Sequence, residues 1–278
     1  MRKKRTALED AMYVNNATYV DYLERFKKIA MSIFEWENLP DSMDARYLEK
    51  CLYYTGCAAL LYLEPYGFIN TKATSGSQLN LYGLPTDIHC YSYGVINERR
   101  RAYNGLAAPD PKMDKEAILV MNSWEMIPTA NTIELFAMRL YEAERSCDVN
   151  IKAMSTTAPF VADKIMEYKK EIWNEALTFL GVNNLSEKRE RLIASETNTN
   201  NELINLNLMS YLKPRELAAK QFNEKFGFTG TDKEIKVKVR SDLDNIIKRA
   251  ASVVTEQYAD QIIDEAVENS TGVTTEDK

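Results

Sequence analysis

PFVADKIMEYKKEIWNEALTFLGVNNLSEKRERLIASETNTNN, from Pro159 to Asn201, reads as one long amphipathic helix that stops at a glycine and releases a polar loop dotted with cations. Val161, Ile165, Tyr168, Ile172 and Ala176 recur at steps of three and four, and Trp173, Leu177 and Leu180 widen that stripe. Asp163, Lys164, Glu167, Lys170, Glu171 and Asn174 take the other side. Thr157 suits the N-cap, Pro159 the first turn, and Gly181 the left-handed residue that closes a helix. The stretch Asn183–Asn201 holds few apolar residues, which predicts a mobile, exposed loop carrying Lys188, Arg189 and Arg191.

Two more rods flank this one. From about Ala11 to Trp36 the residues Tyr19, Leu23, Phe26, Ile29, Ala30, Ile33 and Phe34 trace a helical stripe that ends at Asn38-Leu39-Pro40, with Phe34 and Trp36 expected in the core. Asn131 or Thr132 caps another rod through about Val149, with Ile133, Phe136, Ala137, Leu140 and Ala143 on one side. The connection from Asn150 to Ala158 is short enough to predict antiparallel neighbours. A helix opens at Asp41 or Ser42 and runs through Leu52. Between Gly56 and Pro128 short apolar runs alternate with turn clusters, which predicts a small antiparallel sheet. After the loop a helix begins at Lys213-Pro214 and ends at Gly227, Ile235–Arg240 alternates as a strand with its lysines outward, and Leu243–Val267 is a last amphipathic helix.

The chain of 278 residues is 45% hydrophobic and 27% charged, an ordinary composition for a folded chain with a sizeable core. No apolar run approaches the roughly 18 residues of a membrane span, and MRKKRTALED lacks the apolar core of a signal peptide, so no membrane partner and a cytoplasmic site of synthesis are expected. The formal net charge of −6 argues against tight binding of duplex DNA. Four cysteines without two-residue spacing and a single His89 suggest neither zinc nor a disulfide framework, and no metal or cofactor is expected. Neither a G-x-x-x-x-G-K-[ST] nor a G-x-G-x-x-G run occurs. His89 and Cys90 are adjacent in a predicted strand and so point to opposite faces; no catalytic residue is assigned, and the chain is expected not to be an enzyme. Glu98-Arg99-Arg100-Arg101 reads first as a loop or hairpin end paired with acids. Arg2, Lys3, Lys4 and Arg5 make a basic tail that either contacts an anionic partner or keeps the N-terminus soluble.

TTAPFVADK, IWNEALTFLG, EKRER and YLKPRELAAKQFNEKFGF, with SIFEWENLP at Ser32–Pro40 and IPTANTIELFA at Ile127–Ala137, resemble the upper-collar, or head–tail connector, proteins of small protein-primed podoviruses. The resemblance implies an α+β portal fold with a stem of long helices and a small antiparallel wing, assembled as a ring of about twelve copies. On that likeness residues 1–10 form a basic tail, 11–37, 129–149 and 159–181 the stem helices, and 38–128 the wing. Residues 150–158 are a shortened narrow-end connection, 182–210 the channel loop, 211–268 wing and crown, and 269–278 a disordered tail. The family separates the second and third stem helices by a longer, strand-containing segment that this sequence lacks.

The resemblance further implies a virion protein, present in the host cytoplasm during assembly, that lets double-stranded DNA in during packaging and out during ejection. Lys188, Arg189 and Arg191 match the family's channel-loop cations; they either touch passing phosphates or pair with Glu187, Glu190 and Glu196. Arg2–Arg5 match a tail that contacts the motor or a packaging RNA. Capsid, scaffold, lower-collar or tail protein and packaging ATPase are the implied partners. The alternative reading is a non-catalytic nucleic-acid-binding adaptor of low oligomeric state, acting through the same two basic segments.

Overall fold

The computed structural model describes residues 16–103, 115–153, 158–183, 194–243 and 247, and its contacts divide the chain into two units, Met1–Val239 and Arg240–Lys278. All the elements below lie in the first unit, where helices and strands are segregated in the α+β manner. The expected C-terminal helix and tail lie, apart from Leu243 and Ile247, outside the described residues.

Helix α1, Ala17–Ala30, starts where the Asn16 side chain accepts from the Tyr19 amide at 3.1 Å, and it buries Tyr19, Tyr22, Phe26 and Ile29. The stripe does not continue as a helix to Trp36. Strand β1, Phe34–Glu37, takes over and pairs antiparallel with β7, Lys236–Val239, in the register Phe34↔Val239 and Trp36↔Val237. Phe-Glu-Trp-Glu alternates apolar and acidic residues, a period of two that competes with the helical one, and the distant β7 decides between them. Phe34 and Trp36 are buried as expected, and Lys236 and Lys238 face outward.

Asp44 caps α2, Ala45–Thr55, by accepting from the amides of Arg46 and Tyr47. Strands β2 (Cys57–Leu63), β3 (Gly67–Ser75), β4 (Asp87–Ser92), β5 (Ile96–Ala102) and β6 (Glu116–Met121) follow. They close into a barrel instead of an open antiparallel sheet: β2 pairs antiparallel with β6, and β5 joins β6 in parallel through Arg101↔Glu116 and Ala102↔Ala117. Alternation predicts strands and inward faces, but the pairing of first with last is a non-local choice that leaves no exposed sheet edge. Ala59, Leu61, Ala73, Ile88, Cys90, Ile96 and Leu119 fill the interior.

Helices α3, Ala130–Ala153, and α4, Ala158–Phe179, run antiparallel, because Arg139 pairs with Glu175 at 2.7 Å while Glu144 pairs with Lys169 at 3.1 Å. Helix α3 thus begins slightly before the expected cap, and residues 154–157, including Thr157, lie outside the described residues. Helix α1 joins this pair: the Tyr22 hydroxyl donates to Glu144 at 2.7 Å, and the Phe26 ring stacks on Trp173 with centroids 4.7 Å apart. Gly181, at φ +73, closes α4; its amide donates to the Thr178 carbonyl and that of Val182 to Leu177.

Helix α5, Ala194–Phe226, corrects two expectations. Residues 194–201 are helical instead of loop, and Lys213-Pro214 lies inside a helix that is already running. Asparagines at 198, 200, 201, 205 and 207 lower local helix propensity, but docking on the end of α4 outweighs it: Ile204 is buried and the Asn207 side-chain amide donates to Thr178 O at 2.7 Å. Pro214 removes one helix hydrogen bond, and in the same turn the Arg215 guanidinium gives the Tyr211 carbonyl a donor at 2.8 Å. Past the helix, Asn223 holds Ile235 through reciprocal bonds of 2.9 Å, which directs the chain into β7.

Candidate functional site

The two basic segments singled out in the sequence, Arg2–Arg5 and Lys188–Arg191, lie outside the described residues. Arg99, Arg100 and Arg101 sit on β5 instead of a loop, and each meets an acid: Asp87, Glu98 and Glu116 respectively. Burial alone would raise the Glu116 carboxyl, but Lys225 and Arg101 together hold it below the usual carboxylate range. These cations are spent on structure.

His89 points out of the barrel and shares a 2.7 Å hydrogen bond with Asn97, while Cys90 points in. Burial pushes the Cys57 and Cys90 thiols up to about 11. At pH 8 a thiol at that value is ionised roughly a hundredfold less than a free one, so Cys57 and Cys90 are expected to react with a thiol reagent at least ~100-fold more slowly in the native chain than in urea. Peptide mapping of a short labelling pulse checks this; prompt labelling of either residue would contradict their placement. Among the described residues no group of His, Cys, Asp and Glu is arranged to hold a metal, and no helix is long and apolar enough to cross a membrane.

What the fold does assemble is a buried polar junction. Arg215 of α5 and Glu49 of α2 form an ion pair with side chains only 3% and 4% exposed. Arg215 Nε and Nη2 donate to the two Glu49 oxygens at 3.0 and 2.8 Å; Nη1 donates to the Asn122 and Tyr211 carbonyls at 3.0 and 2.8 Å, and Nη2 also to Asn122 Oδ1 at 3.1 Å. All five N–H groups of the guanidinium are thereby used. Trp36 Nε1 donates to Glu49 at 2.9 Å, Phe34 lies 4.3 Å below the guanidinium, and the Asn122 amide donates to Ile127 O and Thr129 Oγ1 at 2.9 Å each. Sequence reading missed this site. Its only trace is that SIFEWENLP, IPTANTIELFA and YLKPRELAAKQFNEKFGF each contribute to it, so motifs far apart in the chain converge on one junction between β1, α2, α5 and the start of α3.

A second feature is a cleft of about 1140 Å³ between α2 and the outer face of β3, β4 and the β4–β5 turn. Tyr47, Tyr54, Tyr91 and Tyr93 wall it, with Lys50 and Lys72 among them. Burial raises the Tyr47 phenol to about 12, and the hydrogen bond that Lys72 donates to Tyr91 raises the lysine, whose ammonium lies 5.1 Å from the Tyr91 ring centroid.

The model of a protein family described as Phage Connector (GP10) matches residues 4–157 and 146–244. A solved chain from the portal and tail of native bacteriophage P68 is similar over 91% of this chain and 99% of its own, with 13% identity and a TM-score of 0.48.

Proposed function

Because the chain belongs to the phage connector family, a structural component of the virion at the head–tail junction, we propose that it assembles as a portal ring of about twelve copies at one capsid vertex. The family match over both halves of the chain carries this reading. The matched stretches overlap at residues 146–157, around the junction of α3 and α4, where the stem of a portal would turn at its narrow end. Helices α1, α3 and α4 supply the stem, and the barrel with α2 supplies the wing. Exposed apolar side chains support the ring reading: Leu203, Leu206 and Met209 along α5 are surface of the kind that neighbouring copies cover.

In this reading the ring is a conduit for double-stranded DNA in packaging and ejection. A chain of net charge −6 lets DNA slide, whereas a strongly basic wall would hold many phosphates at once. Lys188, Arg189 and Arg191, between the end of α4 and the start of α5, touch phosphates in passing without reading bases. Arg2–Arg5 contact the packaging machinery, whose ATPase and, in some systems, RNA are partners together with scaffold, capsid and lower-collar protein.

Light scattering and single-particle imaging of the purified chain at moderate salt test the ring: a closed particle of about twelve copies with a central hole is expected. A stable monomer or dimer that binds short duplexes with steep salt dependence would replace the proposal by the adaptor reading. Replacing Lys188, Arg189 and Arg191 together by Ala, or deleting residues 2–5, is expected to leave ring mass unchanged and to lower packaged DNA. Loss of the ring on deleting residues 2–5 would remove the tail from the periphery.

A further inference from the structure

The loop from β3 to β4 is a rigid knob. Leu79 and Pro85 bridge its neck, the Asn80 amide donates to Leu84 O at 2.7 Å, and the Thr86 amide donates to Gln78 O at 2.9 Å. Asn80 Oδ1 accepts from the amides of Tyr82 and Leu84 at 2.9 and 3.0 Å. This framework holds Leu81 96% exposed and Tyr82 74% exposed, in a stretch, residues 75–86, without one charged side chain. An ordered loop that displays two large apolar groups gains nothing from them in an isolated chain.

The same chain carries a matching hole. The tyrosine cleft is walled at its outer end by the turn at Tyr93, itself 95% exposed. Among the described residues Lys50 makes no ion pair, so its ammonium is available to the face of an incoming aromatic ring. An uncharged knob with a tyrosine at its tip complements a cationic, aromatic-walled cleft, where a basic segment would be repelled. The Leu81 side chain is not in its own cleft, and the Tyr93 turn and the knob lie at opposite ends of β4, roughly 20 Å apart for a strand of that length.

We propose that the Leu79–Gly83 knob of one copy seats in the tyrosine cleft of the next. Knob and hole are different surfaces, so the contact is head-to-tail and repeats around a closed ring. A knob of this size buries a few hundred Å², short of the ~800 Å² per partner of a stable pair. It therefore fixes the register of neighbours that the wider ring interface has brought together, and in that sense rests on the ring reading.

The test is disulfide trapping in the full-length chain carrying both Leu81→Cys and Tyr93→Cys, with particle mass measured in parallel. Mild oxidation is expected to give a ladder of covalent oligomers beyond the dimer, with the 81–93 bond identified by peptide mapping, while each single variant gives at most dimers. Both substitutions are at exposed positions, Cys51, Cys57 and Cys90 are buried, and Cys147 is replaced by Ser in every variant so that it cannot pair with an introduced thiol. Rings of normal mass without a ladder would overturn the knob contact and leave the ring standing. An equal dimer yield from Leu81→Cys alone would show a symmetric contact and overturn it as well. Failure of the unmodified chain to form rings would overturn the ring reading and the knob contact with it.

Discussion

Replacing Arg215 by Ala is expected to cost about 3–5 kcal/mol of folding free energy, the range found when one partner of a buried ion pair is removed. The magnitude comes from what is stranded. Glu49 keeps only the Trp36 indole as a donor, and Asn122 loses the donors to both its carbonyl and its side-chain oxygen. Arg215→Lys retains the charge but cannot span these acceptors with a planar fork, so about half the penalty is expected to remain. Exchanging Glu49 and Arg215 together for Leu and Met removes the stranded charge and recovers part of the loss, though Asn122 and Trp36 stay underused. Urea midpoints at matched protein concentration measure all three. A midpoint for Arg215→Ala that corresponds to less than ~1 kcal/mol would show that the junction is not closed to water.

Gly181→Ala is expected to be strongly destabilising for a change of one methyl group. A Cβ at this position would lie 2.4 Å from Leu208 N and 2.5 Å from Leu208 Cα, both backbone atoms of α5, and the residue sits at φ +73. The left-handed conformation costs a non-glycine residue about 1 kcal/mol and overpacking against backbone a further 1–3, together about 2–4 kcal/mol. The loss should be local first: hydrogen exchange is expected to accelerate in residues 204–212 before α3 and the barrel respond. Unchanged protection there would mean that α5 does not approach α4 so closely.

The parts of the fold that were readable are those whose burial follows from near neighbours in sequence. Ile133, Ala137 and Leu140, and Ile172, Ala176 and Leu180, were legible as helix stripes because each helix turns its own apolar side inward, and all six are buried. Gly181 was legible because a helix end needs a left-handed residue whatever it packs on. The errors fall where a distant partner decides. Phe34 fits a helical and a strand pattern equally until β7 arrives, and the start of α5 looks like a loop until α4 docks on it. The Glu49–Arg215 junction, 166 positions apart in sequence, had no local signature beyond its place in recognisable motifs.

The same long separations impose an order in time. Glu37 and Lys238 are 201 positions apart and Glu49 and Arg215 are 166 apart. At ~5–20 residues per second of synthesis, Glu49 leaves the ribosome roughly ten to thirty seconds before its counter-ion. During that interval the barrel strands can pair, but the acid of α2 has only the Trp36 indole as a partner and β1 has no strand to join. A nascent or truncated chain that ends before Arg215 thus lacks both the buried ion pair and the β1–β7 pairing.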